Sequence, residues 1–125
     1  MILDTNALSA IVDGDAGIEP HLKRARVVAI PVVVLGEYRF GILQSKRRAR
    51  HEEWLREYLN LYRILSVDLE TSQFYAELRL ELKRAGTPIP SNDLWIAALG
   101  RQHGLPVLSR DLHFDFVSGL HRVSW

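Results

Sequence analysis

The 125-residue sequence predicts an α/β fold in which helices cover both faces of a central parallel sheet. Short apolar runs without alternation, such as Val27-Val28-Ala29-Ile30, suit strands buried on both faces. Between them lie stretches with apolar residues three and four apart, and glycine or proline marks most junctions. Ile2 and Leu3 start the chain as a very short strand, and Asp4-Thr5-Asn6 then turns into a helix through Ala7, Leu8, Ala10, Ile11 and Val12, which Gly14 closes. Ile18 to Arg24 makes a short helix, and Val27 to Ile30 makes an interior strand.

Pro31 suits the first turn of the next helix, where a missing N–H goes unpaired anyway, and Leu35, Tyr38 and Ile42 continue at helical spacing with Glu37 among them. From Lys46 to Tyr62 a second long helix has an apolar face of Trp54, Leu55, Tyr58, Leu59 and Leu61; that face suits core packing or a subunit interface. Ile64 to Val67 reads as a third strand, followed by a helix capped by Thr71 or Ser72 that carries Phe74, Leu78, Leu82 and Ala85. Lys83, Arg84 and Gly86 end it, the cations suiting the negative end of the helix dipole. After the stiff connector Thr87-Pro88-Ile89-Pro90, Ser91 caps a helix running to about His103, with Gly104 beyond. Leu105 to Ser109 is a fourth strand, Asp111 follows it, and His121 to Ser124 adds an edge strand.

Composition narrows the function. Sixteen Lys plus Arg against 15 Asp plus Glu leave a net charge of +1, with 47% hydrophobic and 25% charged residues, an ordinary globular mixture. The absence of cysteine excludes disulfides, thiolate nucleophiles, Cys-based zinc sites and thiolate-held clusters, and makes a reducing compartment the natural setting. No apolar run approaches the ~20 residues of a membrane span; the longest, Val27 to Leu35, contains Pro31. Asp4 falls where a secretory signal would need an apolar stretch, so a cytoplasmic location is expected. With no linker, repeat or shift in composition, one domain over residues 1–125 is expected. Basic clusters at Lys23, Arg24 and Arg26 and at Lys46, Arg47, Arg48 and Arg50 suit either phosphate contacts or solvated helix ends.

The chemistry points to acids. In open α/β sheets ligands bind beyond the carboxyl ends of the strands. Asp4 follows the first strand, Glu37 lies about two turns into the helix after the second, Asp93 begins the last long helix, and Asp111 follows the fourth strand. Taken singly, Asp4 serves equally as a helix cap, Asp93 as a partner of the helix dipole and Asp111 as a turn residue. Converged, they repel one another, and a bound divalent cation resolves that repulsion; oxygen-only ligands favour Mg²⁺ or Mn²⁺. Such sites leave coordination positions for water and phosphate oxygens, as phosphodiester hydrolysis needs.

Four segments carry a resemblance: Ile2-Leu3-Asp4-Thr5-Asn6, Leu35-Gly36-Glu37-Tyr38-Arg39-Phe40-Gly41, Ser91-Asn92-Asp93-Leu94-Trp95-Ile96-Ala97-Ala98 and Leu108-Ser109-Arg110-Asp111-Leu112-His113-Phe114. In order and spacing they resemble the PIN-domain ribonucleases, and more narrowly the VapC-type toxins of toxin–antitoxin pairs, over nearly the whole chain. The resemblance implies a three-layer α/β/α fold with Asp4, Glu37, Asp93 and Asp111 as the catalytic, metal-holding acids. Thr5, Asn6 and Ser109 match small polar positions that orient carboxylates or hold water. It further implies Mg²⁺- or Mn²⁺-dependent endonucleolytic cleavage of RNA by a metal-activated water, leaving 5′-phosphate and 3′-hydroxyl ends. Arg39, Lys46, Arg47, Arg48 and Arg50 would then touch the RNA backbone, and a homodimer and an antitoxin encoded beside the gene are expected partners. Pro31 stands where related proteins often have a Ser or Thr. Asp115 lies close enough to Asp111 to compete as a ligand, but only Asp111 matches the motif.

Other classes fit less well. His21, His51, His103, His113 and His121 form no HExxH or closely spaced ligand pair and read as surface or core-edge residues. The chain has no GxxxxGK[ST], GxGxxG or GxSxG motif. A receiver-like phosphoacceptor domain would show paired acids after the first strand, where Thr5 and Asn6 stand instead. A PIN-like scaffold or regulator that binds RNA or metal without turnover remains the alternative to a nuclease.

Overall fold

The computed structural model describes residues 1–125. In chain order the elements are β1 (Ile2–Leu3), α1 (Thr5–Val12), α2 (Glu19–Arg24), β2 (Ala29–Pro31), α3 (Val32–Leu43), α4 (Arg48–Tyr58), β3 (Arg63–Leu65), α5 (Leu69–Ala85), α6 (Ser91–His103), β4 (Val107–Leu108) and β5 (Arg122–Val123). Short 3₁₀ turns cover Leu59–Leu61 and Leu112–Phe116. The strands form one five-stranded sheet of order β3-β2-β1-β4-β5, every pairing parallel, flanked by helices in three layers. Strands this short persist because their residues are apolar and out of water: Ile2, Leu3, Ile30, Val107 and Leu108 are all fully buried. With both neighbours of β1 parallel to it, the carboxyl ends of β2, β1 and β4 share one edge.

Several boundaries differ from the sequence reading for physical reasons. Pro31 ends β2, paired in register with Leu65, and does not open the helix. Its φ of −64° suits either role, and its ψ of 144° makes it extended. Ser66 and Val67 lie outside the third strand, which begins instead at Arg63; β3 is a sheet edge, so Arg63 and Ile64 are exposed and only Leu65 is buried. The expected helix from Lys46 to Tyr62 becomes α4 plus the tighter 3₁₀ turn. Within it Trp54 packs against Tyr58 and Tyr62, with ring centroids 5.3 and 6.1 Å apart. The Trp54 and Tyr62 rings lean on the core, while Tyr58 is exposed.

The caps are also reassigned. Neither Thr71 nor Ser72 caps α5: Asp68 does, accepting from the Thr71 amide at 2.9 Å while the Thr71 hydroxyl accepts from the Asp68 amide at 3.0 Å. The Gln102 amide donates to the same Asp68 oxygen at 3.1 Å, tying α5 to α6. Ser91 is the first helical residue of α6 and not its cap; Pro90 precedes it and offers no side-chain acceptor. The first turn of that helix therefore presents its positive end without a cap. Gly86 and Gly104 close α5 and α6 in the left-handed region, at φ of 72° and 63°, as their positions in the sequence suggest.

Replacing Asp68 by Ala removes a cap and an interhelical tie, so urea unfolding of Asp68→Ala should show a loss of about 1–2 kcal/mol with unchanged slope, and Asp68→Asn should recover most of it.

Candidate active site

Asp4 is the first residue beyond β1, and its side chain accepts from the Thr5 amide at 2.8 Å as the N-cap of α1. The capping role is thus real, but it does not account for the position. At 4% exposure the carboxylate is almost out of water, and its other oxygen takes hydrogen bonds from the Ser109 hydroxyl at 2.6 Å and the Asn6 amide at 3.1 Å. Burial nevertheless wins. The Asp4 pKa is raised by desolvation, against the Ser109 and Thr5 hydrogen bonds, with Glu37 and Asp111 adding repulsion.

Ser109, itself fully buried beyond β4, organises the network. Its hydroxyl donates to Asp4 and accepts from the Asn6 side chain at 3.1 Å and the Asp111 amide at 2.9 Å. The Asn6 side-chain oxygen accepts from the Arg110 amide at 3.3 Å, so α1 and the segment after β4 are joined at both ends of one side chain. Thr5 donates its hydroxyl to Glu37 Oε2 at 3.0 Å across from α3. Glu37 Oε1, in contrast, is buried and has no partner. An ionised oxygen in that position is costly unless something outside the chain satisfies it.

Asp93 enters from the first turn of α6. Its pKa is raised to about 6, first by desolvation, then held down by a hydrogen bond to His113 and pushed up again by Asp111 and Asp4. Asp111 follows β4 and caps the 3₁₀ turn by accepting from the His113 amide at 2.9 Å. The mutual repulsions of Asp4 with Glu37 and Asp111, and of Asp93 with Asp111 and Asp4, place all four acids in one electrostatic cluster. Thr5, Asn6 and Ser109 lie within it by hydrogen bonding.

Of two further residues, Asp115 and His113, only His113 departs from the sequence reading. Asp115 is held bidentately by Arg122, at 2.8 and 3.0 Å. His113 is no ordinary surface histidine: its Nδ1 lies 3.0 Å from Asp93 Oδ2 and 3.0 Å from Asp111 Oδ1, and Asp93, Asp111 and His113 together form a potential metal-binding group. Its only sequence signal was a place two residues beyond Asp111, in a motif read for its acids alone. The basic residues Arg39, Lys46, Arg47, Arg48 and Arg50 are all exposed, although Arg48 is paired to Glu52 at 3.0 Å. Lys23 is likewise paired, to Glu19.

Of the four acids, Asp93 and Asp111 bring ligand atoms within 4.8 Å of each other and of His113, a donor set compatible with a divalent cation. The model of the PIN domain matches residues 1–120. The chain belongs to the PIN-domain family. Within that family it is 32% identical to ribonuclease VapC5 of Mycobacterium tuberculosis, over 98% of this chain and 90% of the relative, which puts it in the VapC branch. Among solved structures, VapBC2 from Rickettsia felis, bound to a DNA fragment from its promoter, superposes with a TM-score of 0.89 at 24% identity, covering 99% of this chain and 97% of that one. VapBC-5 from Mycobacterium tuberculosis, a member of the VapBC family of toxin–antitoxin systems, superposes with a TM-score of 0.73 at 26% identity, covering 99% and 97%. The PIN fold thus accounts for the sheet edge on which the acids sit. No helix is long and apolar enough to cross a membrane.

The raised pKa of Asp93 fixes the sign of a pH effect. A carboxyl whose folded pKa lies above its unfolded value favours folding when protonated, so that contribution is present at low pH and disappears as pH rises from about 4 through 6. Relative to Asp93→Asn, metal-free wild-type protein should therefore lose about 1 kcal/mol between pH 4.5 and 7.5, measured by urea unfolding at each pH.

Proposed function

We propose that this chain is a metal-dependent endoribonuclease, the toxin of a VapBC-type toxin–antitoxin pair, cleaving RNA to 5′-phosphate and 3′-hydroxyl ends. The observation that carries the reading is the convergence of Asp4, Glu37, Asp93 and Asp111 on one sheet edge, in a chain aligned almost end to end with a VapC ribonuclease. These four acids hold Mg²⁺ or Mn²⁺. When bound, the cation supplies Lewis-acid chemistry, lowering the pKa of water and offsetting charge that develops on the phosphoryl oxygens. The chain's own work is placement. Ser109 and Asn6 fix the plane of the Asp4 carboxylate, and Thr5 holds one Glu37 oxygen while the other is buried without a partner.

Substrate binding follows from charge. Arg39, Lys46, Arg47 and Arg50 present exposed cations to the phosphate backbone, and Arg48 contributes less while paired to Glu52. The partners are an RNA substrate, a cognate antitoxin and a second copy of the chain in the cytoplasm; VapBC-5, a toxin–antitoxin family member of the same fold, supports the antitoxin.

Purified protein should cut a panel of structured RNAs with Mg²⁺ or Mn²⁺ but not with EDTA. Asp4→Asn or Asp93→Asn should lower the rate by more than about 100-fold, and Ser109→Ala by about 10–100-fold. Asp115→Ala should leave cleavage unchanged. RNA binding without metal-dependent products would identify a noncatalytic scaffold instead.

A further inference from the structure

Resting on the metal-dependent reading above, we propose that His113 is a direct ligand of the bound cation, so that the centre offers mixed nitrogen and oxygen donors and favours Mn²⁺ over Mg²⁺.

Three features of the structure carry this. First, His113 Nδ1 is equidistant from the two acids, 3.0 Å from Asp93 Oδ2 and 3.0 Å from Asp111 Oδ1. Donor atoms about 2.1 Å from one ion and at right angles around it lie about 3 Å apart, so the spacing of the nitrogen from each oxygen is that of neighbouring ligands on a six-coordinate ion. Second, the ring is aimed by its own backbone. The His113 amide donates to Asp111 Oδ1 at 2.9 Å, which locks the residue at the start of the 3₁₀ turn and turns Nδ1 toward the α6 terminus. Third, no other cationic side chain pairs with Asp93 or Asp111. Arg122 is committed to Asp115 and the Ser109 carbonyl, and Arg110 lies over the Trp125 ring and bonds its carbonyl.

The donor chemistry sets the preference. Carboxylates alone suit Mg²⁺, whereas an imidazole nitrogen strengthens binding of first-row transition ions, for which Mg²⁺ is a poor competitor at a nitrogen donor. The His113 side chain is 44% exposed, against 14% for Asp93 and 33% for Asp111, so the imidazole meets the ion from the open side of the cleft. Asp4 and Glu37 remain on the buried side.

The test reads binding, not turnover. Mn²⁺ titrated into the purified full chain is followed by loss of the free-ion electron paramagnetic resonance signal, with Mg²⁺ competition, and the bound ion is examined by electron spin echo modulation. Wild type should show ¹⁴N modulation, converted to the ¹⁵N pattern by ¹⁵N-histidine labelling, a result that requires no variant. His113→Gln should lose it and bind Mn²⁺ on the order of tenfold more weakly, with a smaller change for Mg²⁺. Bound Mn²⁺ without nitrogen modulation, or modulation that persists in folded His113→Gln, overturns the role of His113 and leaves the carboxylate site standing. Failure of wild type to bind Mn²⁺ at all overturns both.

Discussion

The structure is organised around a charge that the fold keeps almost dry. Asp4 follows a two-residue strand and begins a helix, so its carboxylate has no route to the surface, and it sits at the carboxyl end of the central strand. Burying an ion in that way is tolerable only with close donors. The donors come from places that the sheet itself brings together: the Thr5 amide and Asn6 side chain from the helix that Asp4 caps, and the Ser109 hydroxyl from the end of the adjacent strand. Ser109 has a single hydroxyl proton, which goes to Asp4, while its lone pairs take Asn6 and the Asp111 amide. One hydroxyl thereby sets the position of one acid and of the backbone that carries another.

Topology explains why the other acids arrive at the same place. From β1 the chain steps outward to β2 and β3, then crosses back to β4 on the other side of β1. The reversal opens a crevice between β1 and β4, the position where parallel sheets bind ligands. Asp4 and Asp111 flank that crevice directly, and α6, which leads into β4, delivers Asp93 from its uncapped first turn. Glu37 comes from the other side through α3, reached by the Thr5 hydroxyl. The helix terminus favours negative charge at Asp93, yet desolvation and two neighbouring carboxylates outweigh it, and the pKa goes up and not down.

The parts of this arrangement legible in the sequence were those with a strong local cause. Unalternating apolar runs marked buried parallel strands, and glycines beyond α5 and α6 marked left-handed ends. The acids were visible as positions relative to strands, though nothing local required them to meet. What escaped had a cause distant in the chain. Pro31 is extended because its strand pairs with Leu65; the cap of α5 is instead local, Asp68 and Thr71 three residues apart, with Gln102 adding a tie from another helix. His113 has no second metal-ligand histidine near it in the sequence, and its partners are carboxylates, one of them twenty residues earlier. A spacing rule for histidine pairs has no purchase on a group assembled across α6 and a 3₁₀ turn.

The same cluster links stability to cation binding. Asp4 and Asp93 both have raised pKa values, and one Glu37 oxygen is buried without a partner, so ionising Asp4 and Asp93 works against the fold. Any cation that binds the folded chain and not the unfolded one stabilises it by RT ln(1 + [L]/Kd), about 2.7 kcal/mol at a hundredfold excess over Kd. Hydrogen bonds from Thr5, Asn6 and Ser109 reduce the repulsion without removing it, since none of these side chains carries positive charge. Positive charge comes from His113 when protonated, 3.0 Å from both Asp93 and Asp111, and from Arg122, whose field reaches Asp111 from its bond to the Ser109 carbonyl. A chain selected for stability alone would amidate one of these acids. Retaining all four beside a single imidazole makes the folded state itself a reporter of whether the cleft is charged.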